Sequence, residues 1–199
     1  MICSEIKKRC WYASEQNEEV KNRRFNITLV DSFCMDDLAF TVKKIPGKII
    51  MGVQRRTSNA DGRSIKDIPA CWQDFLSRNM ASKIPHRAKT PAMFAVYSDY
   101  ESDWTGEYAY MIGSEVTRAD TIPIGMAVVR IPAQTYVVFT AAGPMPDAIL
   151  GVWVSIWGTK LPRAYTFDFE QYDARFTRPE NKEAEVCVAV NEEQLKKMQ

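Results

Sequence analysis

No run in this chain approaches the roughly 18 apolar residues that a membrane-spanning helix requires. The N-terminus carries Lys and Glu where a secretion signal needs an apolar stretch, so neither a bilayer span nor export is expected. Cysteine is sparse and unpatterned. Cys3, Cys10, Cys34, Cys71 and Cys187 are odd in number and form no CxxC pair, which argues for free thiols in a reducing cytoplasm and against a zinc site or disulfide framework. Histidine is nearly absent: any Ser–His–Asp or Cys–His arrangement would have to use His86, which sits between Pro85 and Arg87 with no nucleophile beside it. The glycines never form GxGxxG or a phosphate-binding loop, so no nucleotide cofactor is expected. Charge of one sign is lacking too. A formal net charge of +1 gives no whole-molecule attraction to nucleic acid or anionic lipid.

What is present is a repeat. Residues 42–53 read VKKIPGKIIMGV and residues 128–139 read VVRIPAQTYVVF. Trp72 follows Pro46, and Trp157 follows Pro132, at nearly the same distance. In each half a Val/Ile-rich strand pattern leads into an amphipathic helical pattern and then into two further strand patterns. The first set is a strand over 40–56 with a bend at Pro46-Gly47, a helix over 64–80, and strands over 93–97 and 108–116. Ser64 and Asp67 have capping-box spacing at the helix start. The second set is a strand over 128–141 interrupted at Pro132, a helix from Pro146 to Gly158, and strands over 167–172 and 185–190. The pattern βαββ, twice, predicts an α+β fold: a pseudo-twofold, largely antiparallel sheet with two helices on one face and a cleft where the halves meet. The domain is expected over 39–192. Residues 1–38 form a charged extension too short for a complete DNA-binding domain, and 193–199 a polar tail.

Acids and aromatics inside apolar strands are the candidate site residues. Glu185 shares a strand face with Cys187 and Ala189, and small residues beside a carboxylate leave room for a ligand. Its alternative place is the sheet rim, in water. Glu107 stands beside the Tyr108/Tyr110 face, and Tyr97, Trp104, Phe169 and Tyr172 lie on nearby segments. Trp72, Trp153 and Trp157 have the helical spacing of core residues and also suit a ligand cage. A carboxylate within an aromatic-lined pocket is a sound receptor for a hydrophobic cation: the rings supply cation–π attraction and apolar area, the acid the counter-charge. The acidic loop 98–106 has the first acids of a calcium loop, but Trp104 stands where the turn glycine belongs and Tyr110 where the closing acid belongs. No metal is expected there.

The ordered run of segments resembles the GyrI-like, or AraC-type effector-binding, domains. It comprises VKKIPGKIIMGV, IPACWQDF, FAVYSDYESDWTGEYAYMIGSEV, IPIGMAVVRIPAQTYVVFTAAG, the Trp153/Trp157 helix, DFEQYDARF and EAEVCVAV, over roughly residues 40–190. The resemblance implies two βαββ repeats around a cleft. Members serve as sensor halves of drug-responsive regulators, as stand-alone drug-binding proteins, as gyrase inhibitors and, in some branches, as hydrolases. It also implies a pocket glutamate just before an I-Y-I-P strand. Glu185 holds that position, with Cys187 in place of the tyrosine and Ala189 in place of the proline. Tyr97, Glu107 and Tyr110 match recurrent aromatic or polar positions of the middle strands.

The expectation is a cytoplasmic, stand-alone small-molecule-binding protein, monomeric or homodimeric, for amphipathic aromatic cations, without cofactor, metal, membrane or direct nucleic-acid contact. The alternatives are a hydrolase using the pocket glutamate with Tyr97 or Tyr110, and an interaction module for a gyrase- or transcription-related protein.

Overall fold

Two Ile-Pro dipeptides determine how this chain folds back on itself. A computed structural model describes residues 33–35 and 38–198. It places β2 at Leu38–Ile45 and β3 at Lys48–Ser58, with Pro46-Gly47 between them. In the second half β6 (Ala127–Ile131) and β7 (Gln134–Ala142) are split by Pro132-Ala133. Each single strand expected from the sequence is therefore two strands, because a proline lacks the N–H that a continuous ladder needs. The two kinked strands pair with each other on both sides of the kinks. β2 and β7 run antiparallel from Phe40↔Phe139 to Ile45↔Gln134, and β3 and β6 continue the same register from Lys48↔Ile131 to Gly52↔Ala127. At the kinks the backbones nearly touch: a Cβ on Gly47 would lie 3.0 Å from the Ile131 carbonyl oxygen.

The remaining elements are β1 (Phe33–Met35), α1 (Ser64–Ser77), α2 (Met80–Lys83), β4 (Met93–Ser98), β5 (Glu107–Glu115), α3 (Asp147–Gly158), β8 (Phe167–Tyr172), β9 (Glu183–Ala189) and α4 (Glu192–Lys196). All strand pairs are antiparallel, in the order β1-β2-β7-β9-β8-β4-β5-β3-β6. Without β1 this order reads the same from either end once the halves are exchanged, so the pseudo-twofold seam is the β4–β8 pair. β2 and β3 lie far apart in this order yet are two residues apart in the chain, so the sheet must curl.

Curling answers how the second sheet face is covered. Ile50, Phe94, Met111, Tyr136, Phe169 and Cys187, from six different strands, pack together there as one buried cluster. The sheet supplies its own core on that side. The opposite face is covered by α1, through Cys71 and Phe75, and by α3, through Ile149, Val152, Trp153 and Ile156. These helices stand over the two halves, and the seam lies between them.

Several local expectations are corrected. α1 takes Arg63 as its N-cap with no side-chain cap bond, and Asp67 accepts instead from the Thr57 hydroxyl at 2.8 Å. The helical run to residue 80 is divided, with Asn79 in the left-handed region (φ 46°) before α2. The polar end of the chain is docked: α4 buries Leu195 and is capped by Asn191. β2 begins at Leu38, and residues 1–32, 36–37 and 199 of the proposed extension and tail lie outside the described residues. No helix of the described residues is long and apolar enough to cross a membrane.

Where β3 passes β5, Gly52 faces Gly113, and a Cβ on Gly52 would stand 1.9 Å from the Ile112 carbonyl oxygen. Backbone cannot yield as a side-chain tip can, so Gly52→Ala should destabilise the fold by about 2 kcal/mol or more in urea titration. Gly151→Ala, on α3 with nothing near its Cβ, should be neutral or stabilising by up to about 1 kcal/mol. Equal effects of the two would remove close backbone approach as the reason for glycine at 52.

Candidate functional site

Strand alternation decides which side chains reach the space between α1 and α3. On β4 it delivers Tyr97; on β5, Tyr108 and Tyr110; on β8, Glu170 and Tyr172. α1 contributes Trp72 and α3 contributes Trp153 and Trp157. Together they line a cleft of about 890 Å³. Its walls are largely aromatic. The Tyr97 ring lies 5.0 Å from that of Trp153 and 5.1 Å from that of Tyr110, Trp72 meets Tyr172 edge-on at 5.1 Å, and Trp104 stacks on Trp157 at 5.1 Å. Geometry of this kind favours apolar, planar or cationic guests.

Glu170 is the acid of the cleft, only 2% exposed. The Tyr97 hydroxyl donates to its Oε1 at 2.7 Å and the Trp153 indole N–H to the same oxygen at 2.6 Å, while the Tyr172 hydroxyl donates to Oε2. Burial raises the Glu170 pKa above the ordinary glutamate value, against the opposing pull of the bonds from Tyr172, Trp153 and Tyr97. Burial, and then the neighbouring Glu170, push the Tyr97 and Tyr110 hydroxyls well above the usual phenol range, so both remain protonated donors. Trp72 in turn donates to the Tyr110 oxygen at 2.9 Å.

Of the residues singled out in the sequence, the structure brings Tyr97, Tyr110, Trp72, Trp104 and Trp153 into this cleft. It does not bring the other four. Glu185 lies on the other face of β9, paired with Lys43 at 3.2 Å and Arg175 at 3.4 Å. Cys187, on the same face, is buried in the sheet's inner core, and burial raises its thiol pKa well above the usual range. Phe169 also points into that core, because it alternates with Asp168 and Glu170. Glu107 sits at an exposed sheet end, held by Arg63 and Arg56, and those two hydrogen-bonding guanidinium groups lower its carboxyl pKa. Register therefore places Glu185 on the face of β9 opposite to the face under the helices.

The acid lining the cleft, Glu170, was not singled out in the sequence. Its signal was the alternation Phe167-Asp168-Phe169-Glu170, two acids on one face of a strand whose other face is aromatic. Mid-strand acids at the symmetry seam need partners more than an acid at a strand start does.

Fold and site define an effector-binding module: two βαββ halves closed around an aromatic cleft with a buried acid. The chain belongs to the Cass2 family of integron-associated effector-binding proteins, whose model matches residues 41–191, within the GyrI-like effector-binding group. It is 31% identical over 147 residues to the YobU protein of Bacillus subtilis (strain 168), covering 72% of this chain and 92% of that one. It is also similar to the integron cassette protein VCH_CASS2 from the mobile metagenome of Vibrio cholerae, at TM-score 0.61 and 26% identity over 76% of this chain and 95% of that one. SAV2435, solved bound to tetraphenylphosphonium, shares the fold at TM-score 0.65 and 16% identity, covering 78% of this chain and 96% of its own.

The buried carboxyl makes a pH prediction. A raised pKa in the folded state means that, above the ordinary glutamate pKa, the folded protein holds a proton that the unfolded chain releases. Its stability therefore falls as pH rises through that window. Glu170→Gln, an isostere of the protonated acid, should raise the urea midpoint at pH 8 and lose that advantage near pH 4. An advantage that is the same at both pH values would contradict a proton held by the folded state.

Proposed function

We propose that the cleft binds amphipathic, aromatic organic cations and that Glu170 is their counter-charge. The observation that carries this reading is the buried Glu170 carboxyl at the centre of aromatic walls, with its oxygens held by Tyr97, Trp153 and Tyr172. A neutral, protonated Glu170 suits the empty cleft; a cation arriving beside it favours the ionised form. The tyrosines and the indole N–H then stabilise the carboxylate, and the rings face the positive charge. Membership of an effector-binding family supports the reading, as does the tetraphenylphosphonium bound by SAV2435 on the same fold.

Catalysis is the second reading, with Glu170 as general base. It has less support, because the two carboxyl oxygens already receive three donors and the neighbouring hydroxyls are held protonated. His86 does not line the cleft.

Calorimetric titration with tetraphenylphosphonium tests the proposal. Glu170→Gln should weaken binding about tenfold or more, equivalent to about 1.4 kcal/mol. Glu185→Gln, on the far face of the sheet, should leave affinity unchanged. Weakening by Glu185→Gln with none from Glu170→Gln would overturn the assignment. Chemically altered phosphonium or dye probes after incubation would favour the catalytic reading.

A further inference from the structure

Two residues from Glu170, on the same face of β8, is a second acid whose oxygens are already taken by donors of the protein itself. Asp168 is fully buried and saturated: its Oδ1 accepts from the Ala189 N–H at 2.7 Å, and its Oδ2 from the Tyr100 hydroxyl at 2.8 Å and Arg163 Nη2 at 2.6 Å. Arg163 is itself buried, its side chain 4% exposed, and it lines the cleft. Its guanidinium carbon stands 4.4 Å from the Tyr165 ring centroid and 5.7 Å from that of Trp153. Tyr165 reaches that position from a left-handed backbone, φ 50°, which a tyrosine rarely adopts. Aspartate, two rings and a strained backbone thus orient one guanidinium. Yet Arg163 Nε and Nη1, both buried, have no hydrogen-bond partner among the described residues. Buried donors without acceptors are unfavourable, and where a protein retains them at a binding cleft, a ligand atom is a natural partner.

We propose that Arg163 is a second polar anchor of the cleft, its unpaired Nε and Nη1 N–H groups being donors for a neutral hydrogen-bond acceptor on the same ligand whose cation Glu170 takes. This rests on the cation reading above and narrows its ligand class to aromatic cations bearing a carboxamide, ketone or ether oxygen. Neutral acceptors fit better than anions because Asp168 already balances the Arg163 charge, and a ligand carboxylate would add an unmatched charge to an apolar cleft. The spacing follows from the strand. Asp168, which holds Arg163, and Glu170 are two residues apart on one face, roughly 7 Å, so the two anchors lie within the span of one small aromatic ligand. Trp153 spans the interval, its indole N–H on Glu170 and its ring beside Arg163.

The test compares tetraphenylphosphonium with its (4-carbamoylphenyl)triphenylphosphonium and (4-carboxyphenyl)triphenylphosphonium analogues by calorimetry. In the wild type the carboxamide should bind about tenfold tighter than the parent, and the carboxylate no tighter than the parent. The carboxamide preference should fall to near one in Arg163→Met/Asp168→Asn, which removes the ion pair as a unit. It should fall likewise in Arg163→Lys, which keeps a charge for Asp168 and loses the Nε and Nη1 donors. Glu170→Gln should weaken parent and carboxamide alike and keep their ratio. A wild-type ratio near one overturns the Arg163 anchor while leaving the cation reading intact, and this comparison needs no variant. A ratio that survives both Arg163 variants assigns the acceptor to another donor, and a carboxylate preference shows that Arg163 acts as an unbalanced cation. Failure of every probe to bind would overturn the cation reading and the anchor with it.

Discussion

The antiparallel ribbon formed by the two Ile-Pro strands is the constraint on which the rest of the molecule depends. Its register runs unbroken past both kinks, from Phe40↔Phe139 to Gly52↔Ala127. Prolines at the kinks release the ladder without ending the pairing, and each half of the ribbon feeds an opposite end of the sheet. The sheet therefore curls, buries Tyr136, Phe94 and Phe169 on its inner face, and leaves the outer face to two helices related by the pseudo-twofold. Duplication alone would give two halves. The shared ribbon makes them one body with a seam.

At that seam, β4 and β8 bring Tyr97 from the first half and Glu170 and Tyr172 from the second within hydrogen-bonding reach of one another. Trp153 closes the group from α3. A carboxyl in this setting is caught between two forces: burial favours the protonated form, and three aligned donors favour the ionised one. In the proposed function that balance is the basis for sensing positive charge: the protein solvates a carboxylate that water cannot reach, and an arriving cation favours its ionised form.

The repeat, the order of elements, the helices and the location of the cleft between halves were legible in the sequence, because hydrophobic period and the twin Ile-Pro segments both survive in the residues. Five aromatic residues that line the cleft, Tyr97, Tyr110, Trp72, Trp104 and Trp153, were also legible as ring-rich positions around the seam. The carboxylate was not. Glu185 and Glu170 both sit in alternating strands, and alternation tells which residues share a face but not which face lies under the helices. The family position favoured Glu185, whereas its ion pairs with Lys43 and Arg175 place it outside. Phe169 was assigned to the cleft by composition, and its neighbour Glu170 holds the place because an aromatic side chain on β8 serves equally well inside the curled sheet. Nothing in residue types foretold that curl, which follows from long-range register.

The central claim is that a cation and a proton compete for Glu170, and the proton count measures it most directly. Tetraphenylphosphonium would be titrated by calorimetry at one pH in buffers of differing ionisation enthalpy. The account gives a net proton release on binding, largest in the pH range where the empty protein holds Glu170 protonated, and none in Glu170→Gln. Binding without proton release across that range, or equal release in wild type and Glu170→Gln, would contradict it.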